Sequence, residues 1–298
     1  MNTIPLQHDT PVIRAPMLRR ALISGARRVI AQRDLLNKIN VFPVPDGDTG
    51  SNMAFTLGNV LTGALSRRAQ STGELLRRVS EHAIDGARGN SGAILAQFFT
   101  GISERIGHSQ VASLEQMAQA IQHGADTARE ALSEPKEGTI LSVISVFAES
   151  LHRRERGFHF KHWFGEALVD ARKALANTPN QLPVLQKAGV VDAGAQGFVD
   201  MLEGVYQFIL EGDIDLNDEI ENDCADIEVS QAHVELADAD PEHRWCSECL
   251  ILGDGLDRAG LRAAVSDLGA SCVVIAGSSS RVRLHAHVST PKQLFDIA

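Results

Sequence analysis

No stretch of the 298-residue chain approaches 18 consecutive apolar residues, so no transmembrane helix is expected. Cysteine is scarce. Cys224, Cys246, Cys249 and Cys272 are too few to staple a chain of this length, and a reducing cytoplasm is the expected compartment. The first sixteen residues lack a basic segment followed by an apolar one, so no signal peptide is read. Basic residues are diffuse rather than interleaved with aromatics, which argues against nucleic acid as a partner. The Walker A loop, the GxGxxG dinucleotide loop and the kinase HRD and DFG motifs are all missing. Any nucleotide must therefore be held by several separate loops. Internal repeats and low-complexity segments are absent as well.

What is present is a globular composition, 44% hydrophobic, in a length that suits two domains. The net charge of -10 is concentrated. Residues 211–242 hold 13 of the 38 acidic residues and no Lys or Arg, leaving 25 acids against 28 bases elsewhere. We read residues 1–210 as a helical domain, 211–224 as an acidic, solvated linker and 225–298 as a small α+β domain.

Apolar residues recur at helical spacing through the first domain. Helices are expected over 15–32 and from about Gly50 to Arg68. A third begins at the Ser71–Glu74 capping box and runs to Gly86, a fourth follows Gly92, and a fifth starts at Ser113–Gln116 by the same capping logic. Three more follow Thr139, cover about 160–177, and follow Gly197. No convincing strand appears before residue 210, and the short connections favour an all-α domain of eight antiparallel helices. After the acidic segment, Trp245–Leu252, Cys272–Ala276 and Arg281–Val288 read as strands. A helix over Asp257–Leu268 ends at Gly269.

Chemistry concentrates in the glycine-rich breaks. In Asn40-Val41-Phe42-Pro43-Val44-Pro45-Asp46-Gly47-Asp48-Thr49-Gly50-Ser51-Asn52-Met53, the prolines restrict the backbone. In an extended segment Asp46 and Asp48 share a side, roughly 6.5 Å apart. They can converge on hard cations, and Gly47 lets a ligand approach the backbone. Thr49, Ser51 and Asn52 then sit at a helix N-terminus, which suits phosphate. The alternative is an ordinary turn whose aspartates cap a helix. Gly89-Asn90-Ser91-Gly92 repeats the physics: N–H groups at a helix start, two glycines and a hydroxyl. In the second domain, strand alternation puts His285 and His287 on one face. Cys246 and Cys249 fall on opposite faces, against a CxxC knuckle. One cysteine with two histidines is a candidate Zn²⁺ set; the alternative is two histidines on a solvated sheet face.

The fourteen-residue string resembles the signature of the large, ATP-binding subunit of bacterial fatty acid kinase, a relative of the ADP-binding L subunit of dihydroxyacetone kinases (DhaL-like). Ser51 stands where that family usually has threonine. The strands Trp245-Cys246-Ser247-Glu248-Cys249 and Leu284-His285-Ala286-His287-Val288 resemble the family's Tyr-Cys-Thr-Glu-Phe and Val-His-Val-His-Thr strands. The resemblance implies an eight-helix barrel with a nucleotide at one end, Asp46 and Asp48 holding two Mg²⁺ ions, and Thr49, Ser51 and Asn52 near phosphate. It implies Gly89, Asn90, Ser91 and Gly92 as a second phosphate loop, Gly138 and Thr139 lining the nucleoside, and Asp192 and Gly194 as a closing turn. Asn40 takes the place of an aspartate in the dihydroxyacetone enzymes, as a third metal-site contact or as a loop hydrogen bond. Cys246, His285 and His287 match the family's zinc candidates, with a role in phosphate handling open for the two histidines; Cys249 is structural. The implied activity is Mg²⁺-dependent phosphoryl transfer from ATP to a fatty acid carboxylate presented by a DegV-type carrier or a fused DegV domain. The implied assembly is a homodimer supplied with lipid at a membrane surface. Family members continue beyond the second domain; without that part, activity on lipid could be lost while ATP or ADP still binds. A dihydroxyacetone-type kinase subunit and a non-catalytic nucleotide-binding module are the alternatives.

Overall fold

The computed structural model describes residues 12–153, 160–211 and 245–298. The linker read at 211–224 and the start of the second domain fall almost wholly outside them.

Eight long helices form the first part: α1 (Ala15–Ala31), α3 (Thr49–Asn59), α4 (Thr72–Gly86), α5 (Gly89–Ile106), α6 (Leu114–Glu130), α7 (Ile140–Arg153), α8 (Phe160–Gln181) and α10 (Ala193–Glu211). Each packs on the next and α10 returns to α1, so the helices close into a ring. Its interior is apolar. Phe98, Phe147 and Phe198 meet edge-on there, with centroids 5.5 and 6.0 Å apart, beside the fully buried Met53. Caps match the sequence reading. Ser71 accepts from Glu74 N–H, and Ser113 with Gln116 forms a complete capping box.

The structure differs from the expectation in several places; α5 and α10, for instance, begin at Gly89 and Ala193, inside the glycine-rich breaks rather than after them. Two short helices, α2 (Arg33–Lys38) and α9 (Pro183–Ala188), fill connections read as loops; six residues show too little periodicity to stand out. The helix expected to reach Arg68 stops at Asn59 and continues as a widened turn over Val60–Ala64, with Leu65 N–H donating to Val60 C=O. The first part also carries two strands, β1 (Val12–Arg14) and β2 (Val111–Ser113), paired antiparallel. At three residues each, they are below the length at which alternation is legible.

The ring places the glycine-rich breaks. Antiparallel neighbours put every second N-terminus at the same end. α3, α5, α7 and α10 are alternate members, and their N-termini carry Asp48–Thr49, Gly89, Thr139–Ile140 and Asp192–Ala193.

The second part is a sheet of β3 (Trp245–Leu252), β5 (Arg281–Val288) and β4 (Ser271–Gly277), in that order and antiparallel, with α11 (Arg258–Asp267) and α12 (Pro291–Ile297). Alternation in β5 is strict. Val282, Leu284, Ala286 and Val288 build a core with Val265 of α11 and Leu294 of α12. The opposite face, with Arg281, Arg283, His285 and His287, turns to the helical ring. Arg281 pairs with Asp85 at 2.8 Å, and Arg283 donates twice to Ala87 C=O. Val274 and Ala276 of β4 pack on Ala93 and Ala131. The free edge of β4 is bonded by the chain leaving α6: Ile275 N–H donates to Ala131 C=O and Ser133 N–H to Val273 C=O. The sheet is thereby continued by the helical part. Among the described residues no helix is long and apolar enough to cross a membrane.

Candidate nucleotide and metal site

Two contiguous cavities open at the N-terminal ends of α3, α5, α7 and α10. The first, about 360 Å³, lies between the Asp46–Asp48 loop, the start of α5 and the β3–β5 face; the second, about 470 Å³, continues it past Asn90 and Ser91 to Thr139, Asp192 and Gly194.

The carboxylate loop is not extended. Gly47 is left-handed at φ +67°, so Asp46 and Asp48 converge through a tight turn rather than strand alternation. Asp48 occupies the N-cap position of α3, yet its side chain makes no capping bond. The carboxylate is left for something else. Burial pushes the Asp46 carboxyl up to about 7, and the neighbouring Asp48 charge adds to it; hydrogen bonds from the Asp48 and Asp46 N–H groups oppose the shift only in part. Two acids held together in a half-buried cavity, in no ion pair with a basic side chain among the described residues, fit a divalent metal site.

Two asparagines hold this loop. Asn40 is buried and bridges its ends: its amide donates to Val44 C=O at 2.9 Å, and its carbonyl accepts from Thr49 N–H at 3.0 Å and Thr49 Oγ1 at 2.7 Å. Asn37 does the same one turn on, accepting from Ser51 N–H and donating to Ser51 Oγ, both at 3.0 Å. Asn40, Thr49 and Asn52 line the first cavity with Asp46 and Asp48; Ser51 does not, because Asn37 holds it. Gly89, Asn90 and Ser91 line the opposite wall. Gly92 lines neither cavity and instead packs on α3, where a Cβ would come within 2.4 Å of Thr56 Oγ1.

Thr139, Asp192 and Gly194 line the second cavity. Gly138, at φ +79°, lies behind it against Gln181 and Leu182 and donates to Ser142 Oγ. Asp192 is 5% exposed and joins three helices. Oδ1 accepts from Ile140 N–H at 3.0 Å and Ala195 N–H at 2.8 Å, while Asp192 N–H donates to Thr178 Oγ1. Burial outweighs those two donors and pushes its carboxyl up to about 6. With the folded value above the unfolded one of about 3.9, the native state binds the extra proton between them. The contribution is full below about pH 4 and is lost as pH rises through 6, up to about 3 kcal/mol. We expect Asp192→Asn, which keeps an acceptor for both N–H groups, to flatten this part of the pH dependence. Urea unfolding at pH 5 and pH 7.5 checks it: the gap between wild type and variant should change by about 1.4 kcal/mol between the two conditions.

In the second part, register sets the ligands. Cys246 lies opposite His287 and Glu248 opposite His285, so all four share the face turned to the ring. The Cys246, His285 and His287 ligand atoms lie within 4.8 Å of one another. His285, 2% exposed, has Nδ1 2.9 Å from Glu248 Oε1 and 3.9 Å from Cys246 Sγ, while Nε2 is buried with no hydrogen-bond partner among the described residues. Burial alone would lower the imidazole pKa; contact with Cys246 and Glu248 overrides it and holds His285 well above its ordinary value. Burial alone would raise Glu248, yet the same contact, Gly89 N–H and Arg283 hold it well below. A thiol and two imidazoles with one ring held by a carboxylate is a donor set suited to Zn²⁺. Cys249 is on the other face, partly buried against the sheet core.

Glu248 escaped the sequence reading and is central to the site. Its Oε1 accepts Gly89 N–H, the first amide of α5, at 2.6 Å, and Arg88 and Arg283 flank it at 3.4 and 3.7 Å. The signal was available: Glu248 lies two residues from Cys246 on a strand, hence on the same face. Phe42, Pro43 and Arg88 also line the first cavity without having been expected there.

A closed ring of long helices with acidic and glycine-rich N-termini gathered at one end is the architecture of the dihydroxyacetone kinase L type. The crystal structure of dihydroxyacetone kinase from C. freundii, in complex with AMP-PNP and Mg²⁺, superposes with a TM-score of 0.52 over 70% of this chain and 36% of that one; at 16% identity the likeness is one of fold. Residues 43–207 match the DAK2 domain, and the chain belongs to that family. It is similar to an uncharacterized protein of Staphylococcus haemolyticus (34% identity over 281 residues) and to one of Staphylococcus aureus strain USA300 (31% over 289). The alignments take in 92% of this chain and 51% of each relative, so the chain spans about half the length of the curated relatives it matches.

Proposed function

We propose that this chain is the ATP-binding part of a fatty acid kinase, transferring the γ-phosphoryl group of ATP to a fatty acid carboxylate presented by a DegV-type carrier. A carboxylate oxygen attacks the γ-phosphorus, the bond to the β-phosphate oxygen breaks, and acyl-phosphate and ADP leave. The observation that supports it best is one cavity lined on one side by Asp46 and Asp48, on another by the start of α5, and on a third by the Cys246/His285/His287 face. The motif resemblance points to the fatty acid.

Asp46 and Asp48 would hold Mg²⁺, two ions by the resemblance, which would neutralise charge on the phosphates and on the group in transfer. Cys246, His285 and His287 would hold Zn²⁺, a Lewis acid beside the acceptor. The chain's own part is positioning. Asn40 and Asn37 fix the angle of the carboxylate loop, and the side chains and amides of Asn90 and Ser91 offer donors to phosphate oxygens, the Gly89 amide being held by Glu248. A homodimer, and lipid delivered by a carrier working at a membrane surface, complete the reading.

The test is acyl-phosphate formation from ATP with free and carrier-bound fatty acid, trapped as the hydroxamate. Carrier-dependent product is expected. Phosphorylated dihydroxyacetone in its place would move the chain to the dihydroxyacetone-type kinases. Tight ADP binding with no turnover on either acceptor would make it a binding module. For the metal, elemental analysis of the purified chain is expected to find about one zinc per chain, lost in Cys246→Ser and in His287→Ala. A folded, zinc-free wild type removes the zinc assignment.

A further inference from the structure

The second cavity is walled by both parts of the molecule. Thr139, Ile140, Asp192 and Gly194 come from the helical ring; Ser271, Cys272 and Val273 come from the start of β4. That start is irregular. Ser271 pairs with His287 and Val274 with His285, so β4 spends one residue more than β5 over the same span, which is a bulge. Within it Cys272 sits at φ +52°, the only positive φ among the described non-glycine residues. A left-handed cysteine costs roughly 1 kcal/mol and persists only where its surroundings impose it.

The surroundings are the helical part. The edge of β4 is bonded to Ala131 and Ser133, and the Arg262 guanidinium donates to Glu130 C=O and Ala131 C=O. These contacts tie the bulge to the same connection that leads on to Thr139. The bulge and the strained residue thus coincide with the cavity wall. Most of the lining surface is apolar, Phe42, Ile94 and Leu132 contributing to it, with Glu134 and Lys136 also on the wall, and the volume of about 470 Å³ is ample for a heterocycle and its sugar. The cavity joins the carboxylate cavity through Phe42, Pro43, Asn90 and Ser91. A ligand whose cation-bound anionic end meets Asp46–Asp48 and the Asn90–Ser91 start of α5, with a flat, apolar-faced end beyond Asn90, fits this shape.

We infer that the bulged start of β4, Ser271–Val273, forms one wall of the base pocket, so that the second domain helps to bind and select the nucleotide. This rests on the nucleotide reading above. The base lies between Thr139–Ile140 and Cys272–Val273, and the triphosphate extends into the first cavity.

The experiment compares Mg·ATP with Mg·tripolyphosphate, which has the anionic end and no base, by calorimetry on the whole chain. Ser271→Trp is expected to weaken ATP by about tenfold or more and to leave tripolyphosphate unchanged. In the wild-type chain, ATP is expected to slow alkylation of Cys272 by iodoacetamide, read by peptide mass spectrometry, and tripolyphosphate is not. Unchanged ATP affinity in Ser271→Trp, equal loss of both ligands, or alkylation of Cys272 indifferent to ATP each overturns the wall. A wild-type chain that binds tripolyphosphate but gains nothing from the base overturns it too. A wild-type chain that binds neither overturns the nucleotide reading itself.

Discussion

Asp46→Asn combined with Asp48→Asn is expected to abolish Mg²⁺-dependent nucleotide binding while leaving the fold intact or slightly firmer. The two effects have opposite signs because crowding two half-buried carboxylates burdens the empty protein, while an amide at 46 can still accept the loop N–H groups that the Asp46 carboxylate accepts. Asp48 makes no side-chain cap on α3, so its amide removes no structural bond. The Asp46 carboxyl is pushed up to about 7, first by burial and then by Asp48, so relieving that pair favours the empty protein. A hard divalent cation, by contrast, loses both anionic ligands of the loop, whose remaining side-chain oxygens are amides and hydroxyls, while Glu248 across the cavity is held by Gly89 N–H and His285. We expect affinity for Mg·ATP to fall on the order of a hundredfold or more, about 3 kcal/mol. Calorimetry with and without Mg²⁺, beside a thermal melt of the empty protein, reads both. Unchanged Mg·ATP affinity in a folded double variant would remove these residues from the metal site.

Gly50→Ala should reduce stability strongly. Gly50 is the second residue of α3 and lies against the first residue of α2; a Cβ there would be 2.0 Å from Arg33 C=O oxygen and 2.9 Å from Asn37 Oδ1. The first obstacle is backbone, so α3 must move as a body. Moving it breaks the Asn37–Ser51 bonds and shifts Asp48 with them. Overpacking of this kind costs roughly 2–4 kcal/mol. Gly189→Ala is the comparison, because Gly189, unlike the helical Gly50, is left-handed (φ +67°) and has nothing within 4 Å; it should cost only about 1 kcal/mol of backbone strain. Urea midpoints of the two variants separate steric from conformational cost. An alanine at 50 tolerated as well as one at 189 would mean that the α2–α3 contact is looser than described.

These two cases show what the chain alone can and cannot say. Helical periodicity, capping boxes at Ser71 and Ser113, and glycine-rich breaks at helix starts are local features. They were readable because each is decided within a few residues. The Asp46-Gly47-Asp48 loop is readable for the same reason, though its turn depends on the left-handed Gly47, which alternation along an extended segment does not predict. In β5 the alternation showed that His285 and His287 share a face, and the same rule applied to β3 would have added Glu248 to Cys246.

Alternation does not say what covers a face. Arg-Val-Arg-Leu-His-Ala-His-Val could as well have left its polar face in water; packing on the ring leaves Arg283 only 7% exposed. Glu248 meets Gly89 across 159 residues, and Arg281 meets Asp85 across 196. Contacts of that separation depend on how two independently patterned surfaces fit. No short window of sequence carries that information. The local pattern determined the helices, the caps and the acidic loop. The closing of the ring and the docking of the sheet decided that carboxylates, helix starts, thiol and imidazoles face one another across a single pair of cavities.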